Sequence, residues 1–311
     1  MLRDTLLYLS NQPRVFRFVR NNRLAKHFAN RFVAGETLAE ALDAVRGLNA
    51  RGITASLDLL GESVNNEREA RAARDEYLDI LARIHESRLD ANVSVKLTAM
   101  GLDIDHELCV AVMQDILTRA QQYESFVRID MEASQYTEIT LKIFEERLYP
   151  VYKANVGVVL QSYLYRTFAD VEHMNQLRAR VRICKGAYKE SPAVAYPGKK
   201  DVDSNYVKSM RELMLKGNYP GIATHDPAMV NEAKRWANEQ RIDKDRFEFQ
   251  MLYGVRRDLQ DALVRAGYKV RVYVPFGTQW YPYLMRRLAE RPANVAFITG
   301  NVIREALHAR R

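Results

Sequence analysis

Eight short apolar runs, each followed by a helix-like stretch, constrain this chain more than any other feature. They are ITASLDLLG (53–61), NVSVKLTAM (92–100), FVRIDMEA (126–133), VGVVLQSY (156–163), VRICKGAY (181–188), GIATHD (221–226), FEFQMLYG (247–254) and VRVYVPFG (270–277). Amphipathic segments such as EREARAARDEYLDILARIHE and DHELCVAVMQDILTRAQQY lie between them. Eight strand–helix units over about 250 residues predict an α/β chain folded as a (β/α)8 barrel. A doubly wound open sheet is the alternative. It is disfavoured because no G-x-G-x-x-G follows any strand, and none of the 14 scattered glycines builds a phosphate-cradling loop. Residues 1–50 read as a helical arm and 51–311 as the barrel, with its last helix at about 280–291.

The predicted strands carry polar residues that a strand buried on both faces would not tolerate singly. Lys96, Asp130, Gln161, Arg182, Lys185, His225, Gln250 and Tyr273 come from seven of the eight runs and lie towards the same end. In a barrel the C-terminal strand ends build the active site, so this set is expected to converge there. WYPYLMRRLAE (280–290) follows the eighth run at once. At helical spacing Tyr283, Arg286, Arg287 and Glu290 form one polar stripe, and Leu284, Met285, Leu288 and Ala289 an opposite apolar one. On its own such a stripe is more often a solvated face, with Glu290 paired to Arg286. At a barrel mouth it would face inward, and two adjacent guanidiniums suit a small carboxylate.

Each candidate also has a plainer explanation. His225 alone reads as a satisfied core histidine. Lys96 could be a Schiff-base lysine, which would make the chain an aldolase or decarboxylase barrel. Cys184, Met100 and Met131 read as packing residues, and His173 and His308 as surface ones. The net charge of +8 favours an acidic partner, leaving open a basic binding module without catalysis, although no nucleic-acid-binding motif is visible. Basic residues interleave with Phe16, Val19, Leu24 and Phe28 in 14–31, which makes this stretch a candidate for membrane contact. The two cysteines are far apart and no metal-binding spacing occurs, as expected in a reducing compartment. No apolar run approaches the roughly 18 residues of a membrane span, and MLRDTLLYLS is too polar for a secretory signal. The expectation is a cytoplasmic protein, in peripheral contact with the inner face of the cell membrane.

The helix WYPYLMRRLAE resembles the Tyr-x-x-Arg-Arg-x-x-Glu signature of the proline dehydrogenase family. LLGE at Glu62, SVKL at Lys96, RIDMEAS at Asp130, VLQSY at Gln161, VRICKGAY at Arg182 and Lys185, ATHD at Thr224 and His225, and FQMLYG at Leu252 match in the same order, over about 35–300. The resemblance is to the short, single-activity bacterial form. It implies a distorted (β/α)8 barrel holding FAD non-covalently. The reaction it implies is oxidation of L-proline to Δ1-pyrroline-5-carboxylate, with hydride passing to flavin N5 and electrons to a membrane quinone. By the same resemblance Arg286 and Arg287 bind the proline carboxylate together with Lys96. Leu252, Tyr273 and Tyr283 wall the ring, Glu290 orients its neighbouring arginine, and Glu62 pairs with Arg286 as a gate. Asp130 and Arg182 take the catalytic roles, Arg182 stabilising the negative charge that reduction creates. The flavin contacts are Asp130, Met131, Gln161, Arg182, Lys185, Gly186, Ala187, Tyr188, Thr224, His225, Gln250 and Leu252. No metal is implied.

Overall fold

A computed structural model describes residues 31–61 and 64–290, the side chains of 286–290 excepted. Eight parallel strands close into a barrel in sequence order: β1 (Thr54–Leu59), β2 (Ala91–Val95), β3 (Val127–Ile129), β4 (Val156–Gln161), β5 (Arg180–Cys184), β6 (Gly221–Ala223), β7 (Glu248–Leu252) and β8 (Lys269–Phe276). Closure is parallel pairing of β1 with β8, Thr54 opposite Arg271 through Leu59 opposite Phe276. The helices are α1 (Leu38–Asn49), α2 (Glu67–Glu86), α3 (His106–Gln122), α4 (Ser134–Ile143), α5 (Thr167–Gln176), α6 (Lys199–Lys216), α7 (Pro227–Glu239), α8 (Arg257–Arg265) and α9 (Trp280–Glu290).

All eight expected runs contain a strand. The strands stop earlier than the runs, so several candidates stand just beyond a strand end rather than inside it. Lys96 follows β2, Asp130 follows β3, Lys185 follows β5, and His225 lies two residues past β6. Helix α1 belongs to the stretch read as the arm. Its Ala41, Leu42, Val45 and Leu48 are nonetheless buried in the same core as the strands. The rest of that arm, residues 1–30, lies outside the described residues.

The helices begin where the side chains dictate. Thr37 caps α1 in a reciprocal box with Glu40. Asn66 accepts from the Glu69 amide to start α2, and Asp105 from Leu108 to start α3. Asp226 caps α7, with Pro227 at its first position. Along the strands the two faces differ. Residues such as Leu57, Val93, Val95, Val127, Ile129, Val158, Ile183, Ile222, Phe249 and Val274 are fully buried, and they pack in one core with the apolar faces of the helices. Each such side chain stabilises the fold by about 1.5–3 kcal/mol. The alternate positions carry Ser56, Asp58, Ser94, Arg128, Arg182, Glu248, Gln250, Arg271 and Tyr273, and several of them bond to one another across the barrel, Ser56 to Ser94, Arg182 to Ser94 and Gln250, and Arg271 to Glu248. A barrel interior of this type is usually filled with branched apolar residues; here it is a polar network.

Candidate active site

At the C-terminal mouth the polar side chains meet. Arg182 is its hub. The guanidinium donates through Nη1 to Asp130 Oδ1 at 2.7 Å, through Nη2 to Ser94 Oγ at 3.4 Å, and through Nε to Gln250 Oε1. It also stands 5.4 Å from the centre of the Tyr273 ring. Tyr273 donates to the other oxygen of Asp130 at 2.8 Å, so one carboxylate ties β8 to β5. Burial and the nearby Asp130 and Asp58 carboxylates push the Tyr273 phenol well above its ordinary range, keeping it a donor.

Asp58, on β1, belongs to this group and was not among the sequence candidates. It is 1% exposed and accepts from Lys96 Nζ at 3.1 and 3.3 Å. Burial raises its pKa, the Lys96 ammonium partly offsets that, and Asp130 adds to it. In sequence it reads as one acid in the apolar run LDLLG, without the paired polar neighbours that mark the other strand ends. The alternation of Ser56 and Asp58 was the signal available. The contact also bears on the Schiff-base alternative: the Lys96 nitrogen is held against a buried acid by two hydrogen bonds rather than presented to a carbonyl substrate.

The loops beyond β2 to β6 are pinned to one another. Thr98 donates through its amide and hydroxyl to Glu132 (3.2 and 2.6 Å), holding the turn that carries Met131. Lys185 bridges Asp203 on α6 at 2.5 Å and Asp226 at the start of α7 at 3.1 Å. Burial acts against charge on both acids, and the lysine contacts more than offset it, so both carboxyls lie below their usual range. Glu190 accepts from the Ser134 amide (2.7 Å), the Ser134 hydroxyl (2.5 Å) and the Tyr163 hydroxyl (3.3 Å). Between Lys185 and Glu190 runs Gly186-Ala187-Tyr188. Gly186 has φ +101°, and a Cβ there would enter the Tyr163 ring. Only glycine fits both the turn and the contact. Thr224 accepts from the Asp226 amide at 3.1 Å. The ring of His225 accepts at Nε2 from the Leu252 amide at 2.8 Å, which places its proton on Nδ1. His225 is thus bonded into the rim, and it fixes Leu252 at the end of β7.

The opening of α9 is buried except at Pro282, which is partly exposed. Trp280, Tyr281, Tyr283, Leu284 and Met285 are all under 9% exposed, and Trp280 donates to Glu36 at 3.0 Å. Tyr283, the first member of the polar stripe, is 5% exposed, so at this turn the stripe is not a solvated face. The side chains of Arg286, Arg287 and Glu290 lie outside the described residues, as does Glu62. Cys184 is half-buried against the core, Met100 and Met131 are buried, and His173 is a surface residue paired with Glu145. Among the described residues no cluster of three metal-ligating side chains occurs. None of their helices is long and apolar enough to cross a membrane.

Gln161 supplies a further observation. Its amide nitrogen donates to the Met131 carbonyl at 3.3 Å, while its oxygen is buried without a partner. A buried acceptor left open beside a ring of donors and acceptors fits a polar heterocycle seated across the mouth.

Comparison with known proteins agrees with this geometry. The family model described as proline dehydrogenase matches residues 41–300. Proline dehydrogenase 1 of Bacillus subtilis subsp. natto is 41% identical over 307 residues, covering 98% of this chain and 100% of its own length. Proline dehydrogenase 2 of Bacillus subtilis (strain 168) is 43% identical over 297 residues, covering 95% of this chain and 96% of its own. Among solved structures, proline utilization A (PutA) from Bdellovibrio bacteriovorus, inactivated by N-propargylglycine, superposes with a TM-score of 0.79 at 26% identity, over 85% of this chain and 32% of that one. With a family model spanning most of the chain, relatives matched nearly end to end and a shared barrel, the chain belongs to the proline dehydrogenase family.

Proposed function

We propose that this chain oxidises L-proline to Δ1-pyrroline-5-carboxylate with non-covalently bound FAD and passes the electrons to a membrane quinone. The observation that carries the reading is the convergence of Asp58, Lys96, Asp130, Gln161, Arg182, Gln250 and Tyr273 at one barrel mouth, with the Arg286–Arg287 helix starting at its rim. The flavin, when bound, supplies the hydride-accepting chemistry that amino-acid side chains lack. The residues that would hold it are Asp130, Met131, Gln161, Arg182 and the Lys185–Tyr188 turn, with Thr224, His225, Gln250 and Leu252. The open acceptor of Gln161 and the guanidinium of Arg182 are suited to an imide-bearing ring that gains negative charge on reduction.

The remaining side chains position the amino acid. Arg286 and Arg287 clamp its carboxylate, Lys96 completes the cationic wall, and Tyr273, Tyr283 and Leu252 enclose the ring. Glu290 orients the arginines, and Glu62 closes over the bound substrate by pairing with Arg286. The basic stretch 14–31 is assigned to contact with the inner face of the cell membrane, where the quinone resides.

The purified protein is expected to be yellow and to bleach when L-proline is added without oxygen. A colourless protein with no affinity for FAD would overturn the proposal. The ring amine must be neutral before hydride leaves the adjacent carbon, so kcat/KM should rise from neutral to alkaline pH. A flat profile would reject that order of events.

Asp58 enters this scheme as a positioning residue that holds the Lys96 ammonium. Asp58→Asn removes the charge and keeps the shape. The kcat/KM for proline should fall about tenfold, in the range expected for one charged hydrogen bond. The loss should fall on KM rather than kcat, because Lys96 is assigned to the substrate carboxylate. An equal loss in kcat would assign Asp58 a purely structural role.

A further inference from the structure

The opposite end of the barrel holds a second charged cluster that the proposed redox reaction does not use. Its members face inward below the mouth: Arg128 on β3, Arg180 at the start of β5, Glu248 at the start of β7, Arg271 on β8, and Tyr219 just before β6. Arg271 has a counter-ion, since its Nε donates to Glu248 Oε1 at 2.9 Å. Glu248 also accepts from Gln250 and, at 3.3 Å, from Tyr219. Arg182, one layer above, has Asp130. Arg128 and Arg180 have no carboxylate within ion-pair distance among the described residues, and Glu248, already bound to Arg271, acts on both only from farther off.

Arg128 is 3% exposed. Its Nη1 donates to the carbonyls of Val158 (3.1 Å) and Arg180 (2.6 Å), but its Nε–H is buried without a partner. Arg180 lies 4.5 Å from the centre of the Phe126 ring and 4.7 Å from that of Tyr219, and its Nε–H is likewise buried and unpartnered. Arg128 stands 4.7 Å from the centre of the same Phe126 ring. Contact with rings positions guanidiniums, but it does not satisfy their N–H donors or neutralise two adjacent charges. An unpaired buried charge costs several kcal/mol. Burial, then the neighbouring guanidiniums of Arg182 and Arg180, push Arg128 well below the usual arginine range, as expected where a negative charge is missing. Gly157 faces this group, and a Cβ there would meet the Arg128 guanidinium at 2.7 Å and also strike the Arg180 carbonyl. The glycine is therefore what lets the Arg128 guanidinium and the Arg180 carbonyl lie this close against β4.

We propose that the barrel floor binds a small inorganic anion between the orphaned Nε–H groups of Arg128 and Arg180. The anion enters from the N-terminal face past Arg180, which is only partly buried, and Tyr219. Its function is to neutralise the excess positive charge of the floor and so to stabilise the closed barrel, at the far end from the substrate.

The test uses the flavin-loaded enzyme. Thermal unfolding is measured in sodium chloride, in sodium phosphate and in sodium gluconate at equal ionic strength, gluconate serving as the bulky, weakly binding reference anion. At saturating anion, Tm should rise by about 2–3 °C in chloride or in phosphate relative to gluconate, and whichever salt acts identifies the ligand. Arg180→Met should abolish the rise while leaving proline oxidation in place. Equal Tm in all three salts, or the same rise in Arg180→Met, would overturn the proposal. A second readout covers a variant that does not fold: the chloride NMR line of the wild-type holoenzyme should broaden and sharpen again on adding excess bromide. A line that never broadens, with no effect of phosphate on Tm, would equally overturn it.

Discussion

Arg287→Met is expected to raise the KM for L-proline by about 100-fold, and Arg286→Met by a similar factor, with FAD still bound in both. A guanidinium that holds a carboxylate in a partly desolvated site contributes about 2–5 kcal/mol to binding, and 100-fold corresponds to about 2.7 kcal/mol. The effect should fall mainly on KM. The carboxylate is remote from the bond being broken and carries the same charge before and after, so the clamp holds ground state and transition state alike. Arg287→Lys should recover only part of the loss, because an ammonium cannot make two parallel bonds to one carboxylate. The setting of α9 supports this expectation. The helix starts four residues after β8, and its first turn, including Tyr283, is buried at the barrel rim. Steady-state kinetics with the flavin absorbance recorded on the same samples checks it. Loss of flavin with an unchanged KM would show that the division between substrate and cofactor residues is wrong.

Glu248→Gln should cost about 3 kcal/mol of stability, because it breaks a buried ion pair while leaving the arginine in place. The Arg271 side chain is 12% exposed and that of Glu248 4%, and neither has water to replace its partner. Glutamine fills the same volume, so the loss reports charge rather than a cavity. The pH dependence follows from the acid. Burial works against charge on Glu248, but Arg271, Gln250 and Arg128 more than offset it, and the carboxyl is held below its ordinary value of 4.5. A group depressed in this way stabilises the fold fully above its unfolded value, and the contribution disappears as pH falls through the folded one. The difference between wild type and variant should therefore be constant above pH 4.5 and shrink below it. Urea unfolding at a series of pH values measures this. A constant difference down to the acid limit would mean that the pair contributes through shape alone.

The polar strand ends at the barrel mouth were largely legible in the chain because they are local. Lys96, Asp130, Arg182 and His225 stand at or just beyond the ends of short strands, and a charge in such a place is conspicuous whatever surrounds it. Asp58 escaped notice because its significance is a contact: 38 residues separate it from Lys96, and nothing near it in the chain announces the pairing. The floor cluster escaped for the same reason. Arg128, Arg180, Glu248 and Arg271 each look like a surface charge at the edge of an apolar run. His225 shows the converse. As a lone histidine it read as a satisfied core residue, and it is indeed satisfied, by the Leu252 amide on the adjacent strand.

By itself the sequence determined the barrel, because the alternation of strand and helix patterns, repeated eight times, leaves few ways to bury every apolar face. It also determined which residue types stand at the strand ends, and the Arg-Arg helix after the last of them. Only the tertiary structure decided which charges meet. Side chains alternate in and out along each strand, so closing the ring turns residues far apart in the chain into neighbours within hydrogen-bond reach. That closure sets Asp58 on Lys96, joins Arg182, Asp130 and Tyr273 in one network, and gathers the arginines of the floor around a single carboxylate. It also settles that Tyr283, in the first turn of its helix, is buried at the rim rather than in solvent, since the direction a helix faces depends on what it packs against.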